Sequence, residues 1–190
     1  MRDNTTIVSF DDEPLMLVDP SDNVIGFEEK LNAHNGDGKL HRAFSIFLFN
    51  DLGEVLLQRR SELKPLWPGY WSNTCCSHPR RGETLEEATR RRLREELDLS
   101  AKLTFLFKFE YQAQFENVGS EHELCSVFVG HVNGRPMPSY NSSEIQECQW
   151  LDCEEVDSWL NSELIGTTPW FAMEWQRLRE DFESELKLSA

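Results

Sequence analysis

The chain is strongly acidic: its 190 residues include 34 Asp and Glu against 19 Lys and Arg, a formal net charge of −15. This charge argues against nucleic acid and anionic membranes as main partners, and no apolar run approaches the ~18 residues that a membrane-spanning helix needs. Five cysteines without a disulfide-scaffold spacing, and N-terminal residues unlike a secretory signal, favour a cytoplasmic protein.

The first half of the chain predicts strands separated by turns. The predicted elements are a strand at 14–19, one or two helical turns at 27–33, a turn at 35–38, strands at 43–49 and 54–60 joined as a hairpin at 50–53, and an ordered loop at 66–71. Trp67 and Trp71 are expected to pack this loop against the rest of the fold.

The second half begins with the clearest helix pattern, at 84–97. Its apolar residues recur at helical spacing, and we expect i,i+4 ion pairs between Glu86 and Arg90 and between Glu87 and Arg91.

Strands and short helices follow this helix. We predict strands at 103–115, 121–132 and 147–151, a short helix at 154–160, and a final helix that begins after Thr168 and runs toward Leu186. This order predicts a mixed α/β fold in a single domain over residues 1–190.

The basic residues are unevenly distributed. Fifteen of the 19 Lys and Arg lie at or before Lys108, and nine of these lie from Arg59 to Arg94. An acidic chain that concentrates cations in one stretch could hold an anion there. The alternative, that these are solvated helix and strand faces, is the one that composition alone favours.

Several histidines and glutamates could share a metal ion. His34 and His41 flank the turn at 35–38, and His78 could join them. Glu121 and Glu123 have period-two spacing, so both point to the same face of a strand and repel each other unless a cation or water lies between them. Such ligands would suit Zn, Mn or Fe better than Ca. Any single histidine is more often a surface or core residue than a ligand.

The helix at 84–97 carries a pattern that resembles the second half of the Nudix box, the element that binds metal and diphosphate in that superfamily. Glu83, Arg91, Leu93, Glu95, Glu96 and Leu99 fit the pattern. Ser77 replaces its first Gly and Asp98 its closing Gly, which is a mild change because Asp tolerates a left-handed cap.

The replacement of a box glutamate by Arg92 is a larger departure. Residues 92 and 96 lie one turn apart on one helix face, so a carboxylate cage becomes Glu96 beside a cation. This weakens a hydrolytic multi-metal site and strengthens a clamp for an intact diphosphate.

Cys76 is a candidate for proton transfer. It lies two residues before His78 and close to the basic stretch, where a nearby cation would lower the pKa of its thiol. Alternation along an extended segment would turn Cys75 away from the same site. The other three cysteines are interpreted as packing residues, the usual role of a small buried thiol.

Together these motifs resemble the type 1 isopentenyl diphosphate isomerases, which are Nudix-fold enzymes. The resemblance covers roughly residues 27–175 and depends mainly on Cys76-Ser77-His78-Pro79 and on Glu121-His122-Glu123. It implies a Nudix-type mixed β-sheet sandwiched by helices, with a core at about 39–173, an N-terminal strand and loop extension and a C-terminal helix.

The resemblance also implies an activity. It is the interconversion of isopentenyl and dimethylallyl diphosphate by a 1,3-proton shift through a tertiary carbocation, which supplies isoprenoid biosynthesis. Implied cofactors are Mg²⁺ with the substrate diphosphate and one Mn²⁺ or Zn²⁺ at the His/Glu site. The expected partner is a small allylic or homoallylic diphosphate, and the expected state is a monomer or weak dimer.

Site residues carry over position by position. The implied catalytic residues are Cys76, Glu123 and Tyr111. The implied substrate-binding residues are Lys30, Arg60, Lys64, Arg92 and Trp175, with the Trp175 ring stabilising the carbocation. The implied Mn²⁺ or Zn²⁺ ligands are His34, His41, His78, Glu121 and Glu123, and Glu96 is the implied Mg²⁺ ligand.

Two other interpretations remain open. A Nudix-type diphosphate hydrolase would release phosphate and would not need Cys76, and Arg92 counts against it. A non-catalytic zinc-stabilised module would use the histidines and glutamates only to hold the fold, and the clustering of basic residues counts against that. The sequence does not decide which of Cys76 and Glu123 gives the first proton.

Overall fold

A computed structural model describes residues 5–162 and 164–186 of the chain. Its strands are β1 (Pro14–Val18), β2 (Val24–Glu29), β3 (His41–Asn50), β4 (Val55–Arg60), β5 (Trp71–Ser72), β6 (Cys75–Ser77), β7 (Leu103–Phe115), β8 (Gly119–Val132) and β9 (Ile145–Leu151). Its helices are α1 (Lys30–Ala33), α2 (Leu85–Leu97), α3 (Cys153–Leu160) and α4 (Pro169–Asp181), followed by a 3₁₀ turn at Glu183–Leu186.

Strand β3 is the centre of one mixed sheet. It pairs in parallel with β8 along its whole length, from His41 opposite Glu123 to Asn50 opposite Val132. Its other edge is shared by β1, β6 and β4, all antiparallel. Nine of its ten residues are buried, and six of the ten are apolar, as expected for a strand covered on both faces.

The two faces of the sheet are covered by different helices. Phe44, Ile46 and Leu48 of β3 pack toward the apolar stripe of α2. The alternate residues, among them Phe47 and Phe49, pack toward α3 and α4. The expected arrangement, a mixed sheet between helices, is therefore confirmed.

Helix α2 is closed at both ends by side chains that match its geometry. Thr84 accepts a hydrogen bond from the Glu87 amide, and the Glu87 carboxylate accepts one from the Thr84 amide, which forms a capping box. Asp98 ends the helix in the left-handed conformation, at φ 53°, as expected for a residue that replaces Gly there.

One of the two predicted ion pairs on α2 is confirmed. Arg90 pairs with Glu86 at 2.6 Å. The predicted Glu87–Arg91 pair is wrong, because Glu87 is used by the capping box and Arg91 pairs with Glu83 at 2.7 Å and with Glu95 at 3.0 Å.

Two other elements differ in extent from the prediction. The segment at 27–33 was predicted to be helical, but only Lys30–Ala33 is, because Phe27 and Glu28 pair with β1 in an antiparallel ladder. The final helix ends at Asp181, and a 3₁₀ turn carries the chain to Leu186. The hairpin at 50–53 is confirmed by the Phe49–Val55 pairing.

No helix among the described residues is long and apolar enough to cross a membrane.

The capping box predicts a measurable contribution to stability. Replacing Thr84 with Ala removes the side-chain acceptor, so the free energy of unfolding should fall by about 1 kcal/mol in urea denaturation. Thr84→Ser keeps the acceptor and should stay close to the unsubstituted protein. Equal stability of all three proteins would show that the box contributes nothing.

Candidate active site

A cavity of about 590 Å³ opens at the end of the sheet where β3 begins, and most of the predicted site residues line it. Those that line it are Lys30, His34, Arg60, Lys64, Cys76, His78, Arg92, Tyr111, Glu121 and Glu123. His41 does not line the cavity; it is fully buried and contacts the lining residue His78. Glu96 and Trp175 are not among the lining residues.

The five expected metal ligands come together at one wall of the cavity. Each offers one ligand atom, and these atoms all lie within 4.8 Å of one another. Strand pairing accounts for part of this arrangement, because His41 of β3 lies directly opposite Glu123 of β8. Glu121, two residues earlier, shares the face of Glu123. His78 follows β6, and His34 caps α1.

The hydrogen bonds of these side chains suit a ligand role. His34 and His41 each donate through Nδ1 to a backbone oxygen, of Lys30 and Lys39 respectively, at 2.7 Å. In the neutral rings the lone pair is then on Nε2, which is the tautomer that metal-binding histidines adopt. Burial opposes protonation of His34, but Glu121 raises its pKa above the ordinary value.

Two atoms of the cluster lack a hydrogen-bond partner. His34 Nε2 and Glu121 Oε2 are buried without one, although they lie 2.7 Å apart, because their mutual orientation does not suit a hydrogen bond. His41 Nε2 and His78 Nε2 face each other at 3.1 Å. Lone pairs directed at a common point fit a divalent cation of the Zn or Mn type.

The acid and base groups of the cluster differ in their electrostatics. Burial and the neighbouring His41 ring lower the pKa of His78 well below its ordinary value. Burial opposes ionisation of Glu123, but His41 and Tyr111 lower its pKa below the ordinary value. Tyr111 donates its hydroxyl to Glu123 Oε2 at 2.7 Å. Glu123 is thus an ionised carboxylate with a fixed orientation.

Cys76 and Cys75 point to opposite faces of the sheet, as alternation predicts. Cys75 lies in the α2 core, whereas Cys76 lines the cavity. The Cys76 thiol donates to Asn73 Oδ1 at 2.7 Å and accepts the Trp170 indole N–H at 3.2 Å.

The expected lowering of the thiol pKa is wrong for this structure. Burial, followed by the Glu174 carboxylate, raises the pKa of Cys76 to about 12. Arg60 acts in the opposite direction but is outweighed. The thiol of Cys76 is therefore protonated at neutral pH.

Four cationic side chains also line the cavity. Arg60 is fixed by donating to the backbone oxygens of Leu66 and Trp67. Burial and the neighbouring Lys64 lower the pKa of Lys30 to about 8. Lys64 and Arg92 complete the group. Cations that repel one another in a buried site favour an anion between them.

Comparison with known proteins assigns the chain to a family. The NUDIX domain family matches residues 39–171. Isopentenyl-diphosphate Delta-isomerase 1 of Photorhabdus laumondii is 39% identical over 176 residues, covering 92% of this chain and 99% of the relative. The chain belongs to the isopentenyl-diphosphate Delta-isomerase family, within the NUDIX proteins.

Other comparisons agree with this membership. The isopentenyl-diphosphate Delta-isomerase of Burkholderia multivorans is 42% identical over 160 residues, covering 84% of this chain and 89% of the relative. The solved structure of DR0079 from Deinococcus radiodurans is 23% identical, covers 87% of this chain and 98% of that one, and has a TM-score of 0.70. This last likeness shows the fold alone.

One aromatic residue that was expected in the site, Trp175, lies outside the cavity. Trp175 is 2% exposed, stacks on Phe49, and donates its indole N–H to Asp157 at 2.7 Å, so it is a core residue. Trp170, five residues earlier on α4, lines the cavity instead. Both are tryptophans of one helix, and only its packing decides which of them reaches the site.

The expected Mg²⁺ ligand also lies away from the cavity. Glu96 is 2% exposed and pairs with Arg92 at 2.5 Å, as the helix spacing predicts. Arg92 itself lines the cavity. In this structure the guanidinium of Arg92 therefore lies between Glu96 and the space where a diphosphate would bind.

Three residues near the site are not predicted by the sequence pattern. Trp170 contacts Cys76, Glu144 lines the cavity beside the cations, and Glu174 lies behind Cys76 on α4. A signal for Trp170 was present, because Thr168-Pro169-Trp170 lies within residues 27–175, the range that resembles the isomerases. Nothing in the sequence distinguishes Glu144 and Glu174 from the other acidic residues of this region.

Glu174 is a buried carboxyl group with little hydrogen bonding. Its Oε1 accepts the Cys125 thiol at 3.5 Å, and its Oε2 has no hydrogen-bond partner. Burial raises its pKa to about 8. Below pH 8 the group is therefore a neutral carboxylic acid in the folded protein.

This raised pKa predicts that stability falls as the pH rises. The unfolded chain releases the Glu174 proton near pH 4.5 and the folded chain only near pH 8, so its favourable contribution is complete at low pH and lost between these values. Glu174→Gln cannot ionise. We expect it to gain on the order of 2–4 kcal/mol relative to the unsubstituted protein between pH 5 and pH 8, measured by urea unfolding.

A matched control is available on the same helix. Glu180 is exposed, and Glu180→Gln should follow the unsubstituted protein at every pH. If the stability difference between Glu174→Gln and the unsubstituted protein does not change with pH, Glu174 is ionised in the folded state and the prediction is wrong.

Proposed function

We propose that the chain interconverts isopentenyl diphosphate and dimethylallyl diphosphate by a 1,3-proton shift. The supporting observation is that one cavity is lined both by the four cations and by Cys76, Glu123 and Tyr111. A diphosphate with a short apolar tail requires both groups. Family membership points to the same reaction.

The four cations would bind and orient the diphosphate. Arg60 is fixed by two backbone oxygens and is 9% exposed, so it is largely desolvated before substrate arrives. Planar guanidinium groups suit bidentate contacts to phosphate oxygens, and the two lysines add point charges. Fixing the charged head places the alkene in the remaining part of the cavity.

Cys76 and Glu123 would carry out the proton transfers. One group adds a proton to the terminal alkene carbon and leaves a tertiary carbocation, and a second group removes a proton from C2 to form the new double bond. Cys76 and Glu123 line the cavity, on strands that flank β3 on its two sides. An unactivated alkene is a weak base, so exclusion of water around Cys76 and Glu123 is essential.

Tyr111 and Trp170 would support these two groups. Tyr111 orients the Glu123 carboxylate through its hydroxyl, and Trp170 directs its indole N–H at the Cys76 sulfur. Both aromatic rings line the cavity. They exclude water, and the negative ring faces favour a developing cation.

We further propose that the cluster of His34, His41, His78, Glu121 and Glu123 holds one Mn²⁺ or Zn²⁺, and that Mg²⁺ accompanies the diphosphate. A bound divalent ion would supply positive charge beside Glu123 and Tyr111. The chain's own contribution is the fixed histidine tautomers and the buried carboxylates.

The reaction is tested by incubating the protein with isopentenyl diphosphate and Mg²⁺ and following dimethylallyl diphosphate by NMR. Cys76→Ala and Glu123→Gln should each reduce kcat by 10²-fold or more, the usual range for loss of a proton-transfer group. Cys153→Ala, which removes a thiol outside the cavity, should keep its activity. Full activity of Cys76→Ala or Glu123→Gln would refute the assigned roles. Phosphate release without isomer would indicate the hydrolase instead.

The metal site is tested by elemental analysis of protein purified with Mn²⁺ or Zn²⁺. We expect close to one tightly bound ion per chain and much less in His41→Asn. At a metal concentration of 100 Kd, binding should stabilise the protein by about 2.7 kcal/mol. His122→Asn is a matched control, because His122 neighbours both glutamates but bonds to Glu110 on the opposite face. Equal metal content in His41→Asn and the control would contradict the site.

A further inference from the structure

Glu144 is a carboxylate among the cations of the cavity. Its Oε2 lies 2.5 Å from Lys64 Nζ and 3.5 Å from Arg92 Nη2, and the residue is 6% exposed. It lines the cavity, unlike Glu96. Burial opposes its ionisation, but Lys64 and Arg92 hold its pKa well below the ordinary value. The carboxylate is therefore charged throughout the neutral range.

Both the main chain and the side chain of Glu144 are held by specific contacts. The Glu144 amide donates to the Asn141 oxygen at 3.0 Å, and the Glu144 oxygen accepts the Ser61 amide at 2.9 Å. Strand β9 begins at the next residue. The main chain at Glu144 is thus held at the start of a strand, and Lys64 and Arg92 hold the side chain in the cavity.

A fixed negative charge in this position opposes a bare diphosphate. The four cations attract the phosphate oxygens, but Glu144 already occupies Lys64 and lies close to Arg92. An anion bound between these cations would contact the carboxylate. Like charges repel most strongly where water is excluded, and protonation of Glu144 does not relieve the repulsion at neutral pH.

A divalent cation removes this conflict. Mg²⁺ is commonly held by one or two carboxylates together with phosphate oxygens. Glu144 lines the cavity, whereas Glu96 does not, and both cations that contact the Glu144 carboxylate do so at Oε2. An ion between Glu144 and the diphosphate would change repulsion into attraction on both sides.

We propose that Glu144 makes diphosphate binding depend on Mg²⁺, by repelling the free anion and by acting as a protein ligand toward the ion of the metal–diphosphate complex. This inference rests on the proposed function, since it assumes that the four cations hold a diphosphate. Glu144 is then a specificity-determining residue that selects the Mg²⁺-bound form of the substrate.

Inorganic diphosphate is the probe that tests this role without any chemical turnover. Its Kd is measured by calorimetry with excess Mg²⁺ and with EDTA. For the unsubstituted protein we expect Mg²⁺ to tighten binding by at least about tenfold. Glu144→Gln should bind the metal-free anion about tenfold more tightly, as expected when one buried like-charge contact is removed, and should lose most of the Mg²⁺ effect.

Two further variants separate this role from a structural one. Glu144→Asp keeps the charge and should keep a clear Mg²⁺ effect, and Glu147→Gln removes an exposed carboxylate of β9 and should behave like the unsubstituted protein. An equal ratio of the two Kd values in Glu144→Gln and the unsubstituted protein overturns the proposal. Absence of any Mg²⁺ effect in the unsubstituted protein also overturns it.

The two proposals fail in different ways. If isomer forms in the NMR assay but the Mg²⁺ effect survives in Glu144→Gln, only the role of Glu144 is wrong. If the Mg²⁺ effect is lost in Glu144→Gln but no isomer forms, the role of Glu144 stands and the proposed reaction is wrong.

Discussion

The parallel pairing of β3 with β8 is the constraint on which the site depends. Its register sets His41 opposite Glu123, and the same register turns Glu121, Glu123 and Cys125 to the face that α4 covers. A shift of one residue would turn both glutamates toward α2 and remove them from the histidines. Strand β6 on the other edge of β3 brings Cys76 to this same face. A long buried ladder thus fixes the two proposed proton-transfer groups and part of the proposed metal cluster together.

The charged and polar groups of the cavity form two sets. The buried cations and Glu144 form one set, in which most members are paired or hydrogen-bonded. The histidines and ionised glutamates of the cluster form the other, in which His34 Nε2 and Glu121 Oε2 lack a hydrogen-bond partner. Such arrangements are costly in a fold that binds nothing. The cost is accounted for if an anion and a divalent cation complete the two sets.

Local rules were sufficient for much of the framework. The stripe on α2 and the Thr84 start predicted this helix to within a residue, and Asp98 adopts the left-handed cap that its replacement of Gly suggested. Alternation placed Cys75 and Cys76 on opposite faces. Failures came where two interactions competed for one side chain, since Glu87 serves the cap and not Arg91, or where strand pairing with β1 replaced helix at 27–29.

By itself the sequence determined the family and the fold class, and most of the site residues predicted from it line the cavity, because motif residues keep their spacing along strands and helices whose periodicity is short-range. Tertiary structure alone decided which side chains face the substrate space. Trp170 and Trp175 lie five residues apart on α4, on different faces of the helix, and only packing against the sheet turns Trp170 toward Cys76. It also buries Glu96 behind Arg92 and directs Glu144 into the cavity. Burial and long-range charge pairing depend on the whole fold, so no local pattern reveals them.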